Sequence, residues 1–191
     1  PRSTLDRSSA ASDVYKRQAI YFEDKEITYR ELINGANQYS HWFLDNGLQK
    51  GDVVALLMEN RPEFLMAWIG IAQVGGTSAL INTNLTGHPL NHSLSISGAS
   101  KLILGKELIS NFETTDDTVK GSFQVWVEGD INKQDYNNLG LTLENLSIVM
   151  PAIDYDVTNE DVALYIYTSV IIGLPMAATI THRRLRLMLM G

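Results

Sequence analysis

The sequence predicts an α/β fold: a mainly parallel βαβ sheet layered with helices. Two observations carry that reading. The continuous apolar run 53–58 suits a strand covered on both faces, 77–81, 101–104 and 123–127 read as further short strands, and Val162–Thr168 is a strongly apolar one. Segments with helical spacing separate several of them, which is the pattern of βαβ units. A composition of 45% hydrophobic and 19% charged residues is that of a globular chain rather than a disordered one.

The elements follow in order. Residues 19–22 and 26–28 form two short strands around an Asp24-Lys25 turn. Thr28 then caps a helix, and Glu31, three residues on, completes a capping box. Leu32, Ala36, Tyr39 and Phe43 form its apolar stripe, and Gly47 suits the left-handed position that ends it. Gly51-Asp52 turns the chain into the strand 53–58. Pro62 stands where the first turn of a helix tolerates it, and that helix runs to Gln73. After the strand 77–81 and the polar Asn82-Thr83-Asn84, Pro89 opens a helix that runs to Ile96 and stops at Gly98. Strands at 101–104 and 123–127 precede a polar, loop-like 128–140. Asn159-Glu160-Asp161 leads into Val162–Thr168, and 177–180 is a further strand.

The uncharged stretches 64–81 and 162–181 approach the ~20 residues of a membrane span. Gly75-Gly76 divides the first, and Gly173 and Pro175 divide the second, so each reads as two shorter elements.

Among the 191 residues, 22 Asp and Glu outweigh 15 Lys and Arg, a net charge of −7 that argues against a nucleic-acid partner. With no cysteine, disulfides, thiolate metal sites and a cysteine nucleophile are excluded, and the redox compartment stays open. Residues 1–18 are rich in Ser, Arg and Asp and lack apolar periodicity. They resemble translated adapter sequence and are set apart from the fold as a non-native prefix, a disordered tail being the alternative. The chain stops inside the apolar run Leu187-Met188-Leu189-Met190, which reads as truncation.

The most informative segment is Tyr165-Ile166-Tyr167-Thr168-Ser169-Val170-Ile171-Ile172-Gly173-Leu174-Pro175-Met176. It resembles the phosphate-binding loop of the AMP-forming acyl-CoA synthetases and their adenylating relatives, which usually reads Tyr-Thr-Ser-Gly-Thr-Thr-Gly-x-Pro-Lys. Upstream, Ile27-Thr28-Tyr29-Arg30-Glu31-Leu32, Gly51-Asp52-Val53-Val54-Ala55 and Met58-Glu59-Asn60-Arg61-Pro62-Glu63-Phe64 look like the N-terminal region of that family. Ala79-Leu80-Ile81-Asn82-Thr83-Asn84-Leu85 is similar to its very-long-chain branch, also called fatty acid transport proteins.

That resemblance implies that residues 19–191 are a truncated part of a large N-terminal AMP-binding domain. It implies a fatty acid, ATP and coenzyme A as substrates of the parent enzyme, with Mg2+ accompanying the nucleotide. A carboxylate would attack the α-phosphate, releasing pyrophosphate, and the thiol of coenzyme A would then displace AMP. Thr168, Ser169 and Gly173 are the residues that match the nucleotide-binding motif. A cytoplasmic location with peripheral membrane contact follows from the family, and the oligomeric state does not.

This copy departs from the family pattern at four positions. Val170 stands for Gly, Ile171 and Ile172 for two Thr, and Met176 for Lys. Glycine lets backbone N–H groups approach phosphate, hydroxyls add donors, and lysine adds charge. Loss of several such groups removes the electrostatic stabilisation on which phosphoryl chemistry depends. The reading is therefore a synthetase fragment that is inactive as written. The alternatives are a non-catalytic fatty-acid-binding or uptake module and another adenylating ligase, such as a carnitine-CoA ligase.

The remaining candidates have plainer readings. His88 and His92 share a helix face but lack a third ligand. His182-Arg183-Arg184-Leu185-Arg186 could attract an anion but suits a solvated first helical turn. Trp42, Trp68 and Trp126 are expected in core packing. Asp154, Asp156, Glu160 and Asp161 form a polar lead into a strand.

Overall fold

A computed structural model describes residues 16–131, 136–168 and 176–190. Nine strands and seven α-helices are found among them. Strands β1 (Gln18–Phe22) and β2 (Lys25–Thr28) form an antiparallel hairpin. Helix α1 (Tyr29–Asp45) follows directly, and Thr28 and Glu31 complete the expected capping box. Glu31 N donates to Thr28 Oγ1 at 3.2 Å, and Thr28 N donates to Glu31 Oε2 at 2.7 Å. The stripe Leu32, Ala36, Tyr39 and Phe43 is buried, and Gly47 takes a φ of 74° just beyond the helix.

The main sheet has seven strands in the order β7-β6-β5-β3-β4-β8-β9. These are β3 (Val53–Leu57), β4 (Thr77–Leu80), β5 (Lys101–Gly105), β6 (Gln124–Glu128), β7 (Asn137–Asn138), β8 (Val162–Thr168) and β9 (Met176–Thr181). All neighbouring pairs are parallel except β8 and β9.

From β3 the chain passes through α2 (Pro62–Gln73) to β4 on one side. It then returns through α3 (Gly87–Ser95) to β5 on the other side of β3. Right-handed crossovers in opposite directions place their helices on opposite faces of the sheet. The side chains confirm it. Val54, Leu56 and Met58 pack into a core with Tyr39, Phe43 and Ile71 of α1 and α2. Ala55 and Leu57 pack into a second core with Leu90 and Leu94 of α3. One strand thus serves both layers, and its run is apolar at every position for that reason.

Helices α1 and α2 approach closely at Gly70, where a Cβ would lie 2.7 Å from Tyr39 Cβ and 2.8 Å from the Ala36 carbonyl oxygen. Trp42 and Trp126 meet edge to face at 4.9 Å, so tryptophans far apart in sequence form one core contact.

The segment 128–140 departs from the loop expected there. Glu128 ends β6 and is only 7% exposed, Asn137–Asn138 is a short strand, and α6 (Leu139–Leu143) begins within the segment. Hydropathy alone ranks a glutamate as solvated, but here buried partners hold it. Helices α4 (Ile109–Glu113) and α5 (Asp117–Lys120), between β5 and β6, have too few residues to show a helical period in the sequence. Helix α3 starts at Gly87, two residues before Pro89. Among the described residues no helix is long and apolar enough to cross a membrane. The two uncharged stretches resolve into α2 with β4 and into β8 with β9.

Candidate functional site

The carboxyl ends of β3, β4, β5, β6 and β8 share one edge of the sheet, since these strands are parallel. The loops after β3 and β4 leave that edge toward opposite faces, which makes a topological switch point. Ligands of open α/β sheets bind at such crevices. The chain leaves β8 at this edge and returns as β9.

Thr168 ends β8 and stands opposite Met176 in the antiparallel ladder. The two described ends of the phosphate-loop match are therefore neighbours on adjacent strands, and β8 lies beside β4. Ser169, Val170, Ile171, Ile172 and Gly173 lie outside the described residues. Met176 opens β9 and is 65% exposed. A thioether there carries no charge and donates no hydrogen bond, so this position does not fit a nucleotide phosphate.

Tyr167 projects into the core on the α3 side. Its hydroxyl is buried without a hydrogen-bond partner among the described residues, and burial pushes its pKa up to about 12. The loop after β4 is held from below by Asn111 of α4. Its Nδ2 donates to the carbonyls of Thr83 at 3.0 Å and Leu85 at 3.3 Å.

The loop after β3 is held by a network of ionisable groups. Tyr39 donates its hydroxyl to Glu128 Oε2 at 2.7 Å. Arg61 donates from Nη2 to the Glu128 carbonyl at 3.0 Å and lies 3.8 Å from carboxylate oxygens of both Glu63 and Glu107. Glu107 Oε1 accepts the backbone N–H of Glu59 at 3.0 Å. Burial raises the Glu128 carboxyl above its ordinary value, against the lowering influence of the Tyr39 hydrogen bond and the Arg61 charge. Burial likewise raises Tyr39 well above the phenol range.

A cleft of about 620 Å³ opens beside this network, between the β1–β2 hairpin and residues 59–63. Its Arg61 is already committed to Glu128, Glu63 and Glu107, so the network serves chiefly to fix the loop. Residues 58–64 show no sign of this role in the sequence alone, and neither Asn111 nor Glu128 stands out there. A charged residue directly after an apolar strand run was the one available signal.

The other candidates take plain structural places. His88 is exposed and His92 half-buried on α3. No group of three His, Asp or Glu suited to a metal is found among the described residues. Residues 182–186 form the start of α7 (His182–Met190), where Arg183 pairs with Glu160 at 3.5 Å. Asp161 pairs with Lys50 at 2.9 Å and accepts the Thr158 N–H, and the two, the backbone bond first, lower its pKa.

An open, mainly parallel sheet with a switch-point edge is the architecture of a ligand-binding class of α/β proteins. The sequence model of the AMP-binding enzyme family matches residues 7–190, and the chain belongs to that family. Human long-chain fatty acid transport protein 1 is 34% identical over 161 residues, covering 82% of this chain and 25% of that protein. The medium/long-chain-fatty-acid–CoA ligase FadD6 of Mycobacterium tuberculosis (strain ATCC 25618 / H37Rv) is 29% identical, covering 94% of this chain and 28% of that protein. The chain thus spans about a quarter of the length of the curated relatives it matches.

Among solved structures, the anthranilate CoA ligase AuaEII in complex with anthranoyl-AMP superposes with a TM-score of 0.81 at 23% identity, over 94% of this chain and 34% of that one. The inhibitor-bound N-terminal domain of FACL13 from Mycobacterium tuberculosis gives 0.74 at 27% identity, over 91% of this chain and 43% of that one.

Proposed function

We propose that this chain is an N-terminal part of an ATP-dependent long-chain or very-long-chain fatty acyl-CoA synthetase. Residues 19–191 would be a partial AMP-binding domain. The complete enzyme would convert fatty acid, ATP and coenzyme A to acyl-CoA, AMP and pyrophosphate. The family match over residues 7–190 supports this reading, and the relatives are a fatty acid transport protein and a fatty-acid–CoA ligase by name.

In such an enzyme Thr168, Ser169 and Gly173 would face the phosphates, with Mg2+ beside them. The polypeptide as written does not itself make acyl-adenylate. The observation that carries this is Met176, exposed at the start of β9 opposite Thr168, where the family pattern has a lysine. Val170, Ile171 and Ile172 remove a glycine and two hydroxyls from the same loop. The test is ATP–pyrophosphate exchange by the purified chain with palmitate. No exchange is expected, and measurable exchange overturns the inactive reading.

A second reading is a non-catalytic fatty-acid-binding or uptake module. It is favoured by an apolar groove of about 550 Å³ between α2 and α7, lined by Trp68, Ile69, Ala72, Met150, Leu185 and Met188. Calorimetry separates the two. Fatty-acid binding without ATP binding supports the module, and binding of neither removes it.

A further inference from the structure

His182 opens α7 and lines the apolar groove between α2 and α7. Its Nε2 is buried there and has no hydrogen-bond partner among the described residues. Trp68, Ile69 and Ala72 of α2 form one wall, with Met150, Val157 and Leu185 around them. None of these side chains replaces the water that a charged imidazole would lose.

The first turn of α7 is anchored without that ring. His182 N donates to the Asp161 carbonyl at 3.1 Å, and Arg183 N donates to the Asn159 carbonyl at 2.8 Å. Arg186 Nη1 donates to Asn159 Oδ1 at 3.2 Å. These bonds fix the base of the helix to the lead into β8, whereas its hold on α2 is apolar contact across the groove.

We propose that His182 is a proton-sensitive latch: the neutral ring seats α7 on α2, and protonation expels the ring from the groove and lets α7 turn away about its anchored first turn. The proposal stands whether or not the groove takes a ligand.

The charges around the ring do not rescue its cation. Asp161 is the carboxylate that acts on it, and Asp161 is already paired with Lys50 at 2.9 Å and with the Thr158 N–H at 2.7 Å. Glu160 is paired with Arg183 at 3.5 Å. From α2 the groove receives the neutral Gln73, and from residues 150–157 it receives Met150 and Val157, so no further ionisable group faces the ring there. Burial outweighs Asp161 and holds His182 below its ordinary 6.5. The seated ring therefore binds a proton more weakly than the released one. The latch is fully closed above 6.5 and is lost as pH falls through the lowered seated value.

The test is amide hydrogen exchange of the full chain between about pH 5 and 7.5, the range in which histidine titrates, read as protection factors. Protection of residues 184–188 is expected to fall with pH, by at most about tenfold per unit for one proton, while β3 and β5 stay protected. In His182→Phe it is expected to stay at its high-pH level throughout. Unchanged protection of 184–188 in the unaltered chain overturns the proposal. So does a pH dependence that persists in folded His182→Phe, or a loss that β3 and β5 share, which is acid unfolding of the whole chain. Should the variant not fold, NMR titration of the unaltered chain decides. A His182 ring midpoint below 6.5 that coincides with the shifts of the α7 amides supports the latch, and a midpoint at or above 6.5 overturns it.

Discussion

Tyr39 of α1 and Glu128 at the end of β6 share a 2.7 Å hydrogen bond between two buried side chains 89 positions apart. The bond ties the first long helix to the carboxyl edge of the sheet. Through Arg61 it also reaches the loop after β3. Tyr39→Phe removes the donor and leaves Glu128 buried with one partner fewer. A loss of ~1–3 kcal/mol is expected, the cost of an unsatisfied buried polar group. Urea unfolding followed by circular dichroism measures it, and an unchanged midpoint contradicts it.

The same pair sets a pH dependence. Burial raises the folded-state pKa of Glu128 above its ordinary 4.5. The folded chain therefore holds that proton to higher pH than the unfolded chain does. The contribution of Glu128 favours folding fully below 4.5 and is lost as pH climbs through the raised folded value. Glu128→Gln carries no such loss. Its stability relative to the unaltered chain should improve across that window and then level off. A stability difference that stays constant between about pH 4 and 7 would refute this sign.

Gly70 sets the distance between α1 and α2. A methyl group there meets Tyr39 Cβ and the Ala36 carbonyl oxygen, both closer than 3 Å and neither free to swing away. Gly70→Ala should cost ~1–3 kcal/mol by overpacking, despite the better helix propensity of alanine. A thermal melt of the variant at or above that of the parent would show that the helices can separate freely.

Asn111 holds the loop after β4, the strand beside β8. Its two bonds to the Thr83 and Leu85 carbonyls are side chain to backbone, worth about 1 kcal/mol each. Asn111→Ala should speed amide exchange across 82–86 while leaving the β3 and β5 amides protected. Global loss of protection would instead make Asn111 a determinant of the whole fold.

Local features of this fold were legible because local chemistry decides them. The Thr28–Glu31 capping box spans four residues, and the stripe from Leu32 to Phe43 lies on one helix. The apolar run of β3 announced burial on both faces before either layer was known. The candidate site was legible only as a motif. Thr168 takes its place at the end of β8, whereas Ser169 and Gly173 lie outside the described residues. The residues that support the edge were not legible. Glu128 and Asn111 are polar, and their partners stand 89 and 28 positions away.

The sequence by itself determined the α/β class, most strands and long helices, the absence of thiol chemistry and the four departures from the family's phosphate loop. Each follows from residue type or from spacing within a few positions. Only the tertiary structure decided the strand order, the burial of Glu128 and the meeting of Trp42 with Trp126. Those depend on the direction each crossover takes and on which faces then come together. Side chains far apart along the chain become neighbours only once the layers have closed.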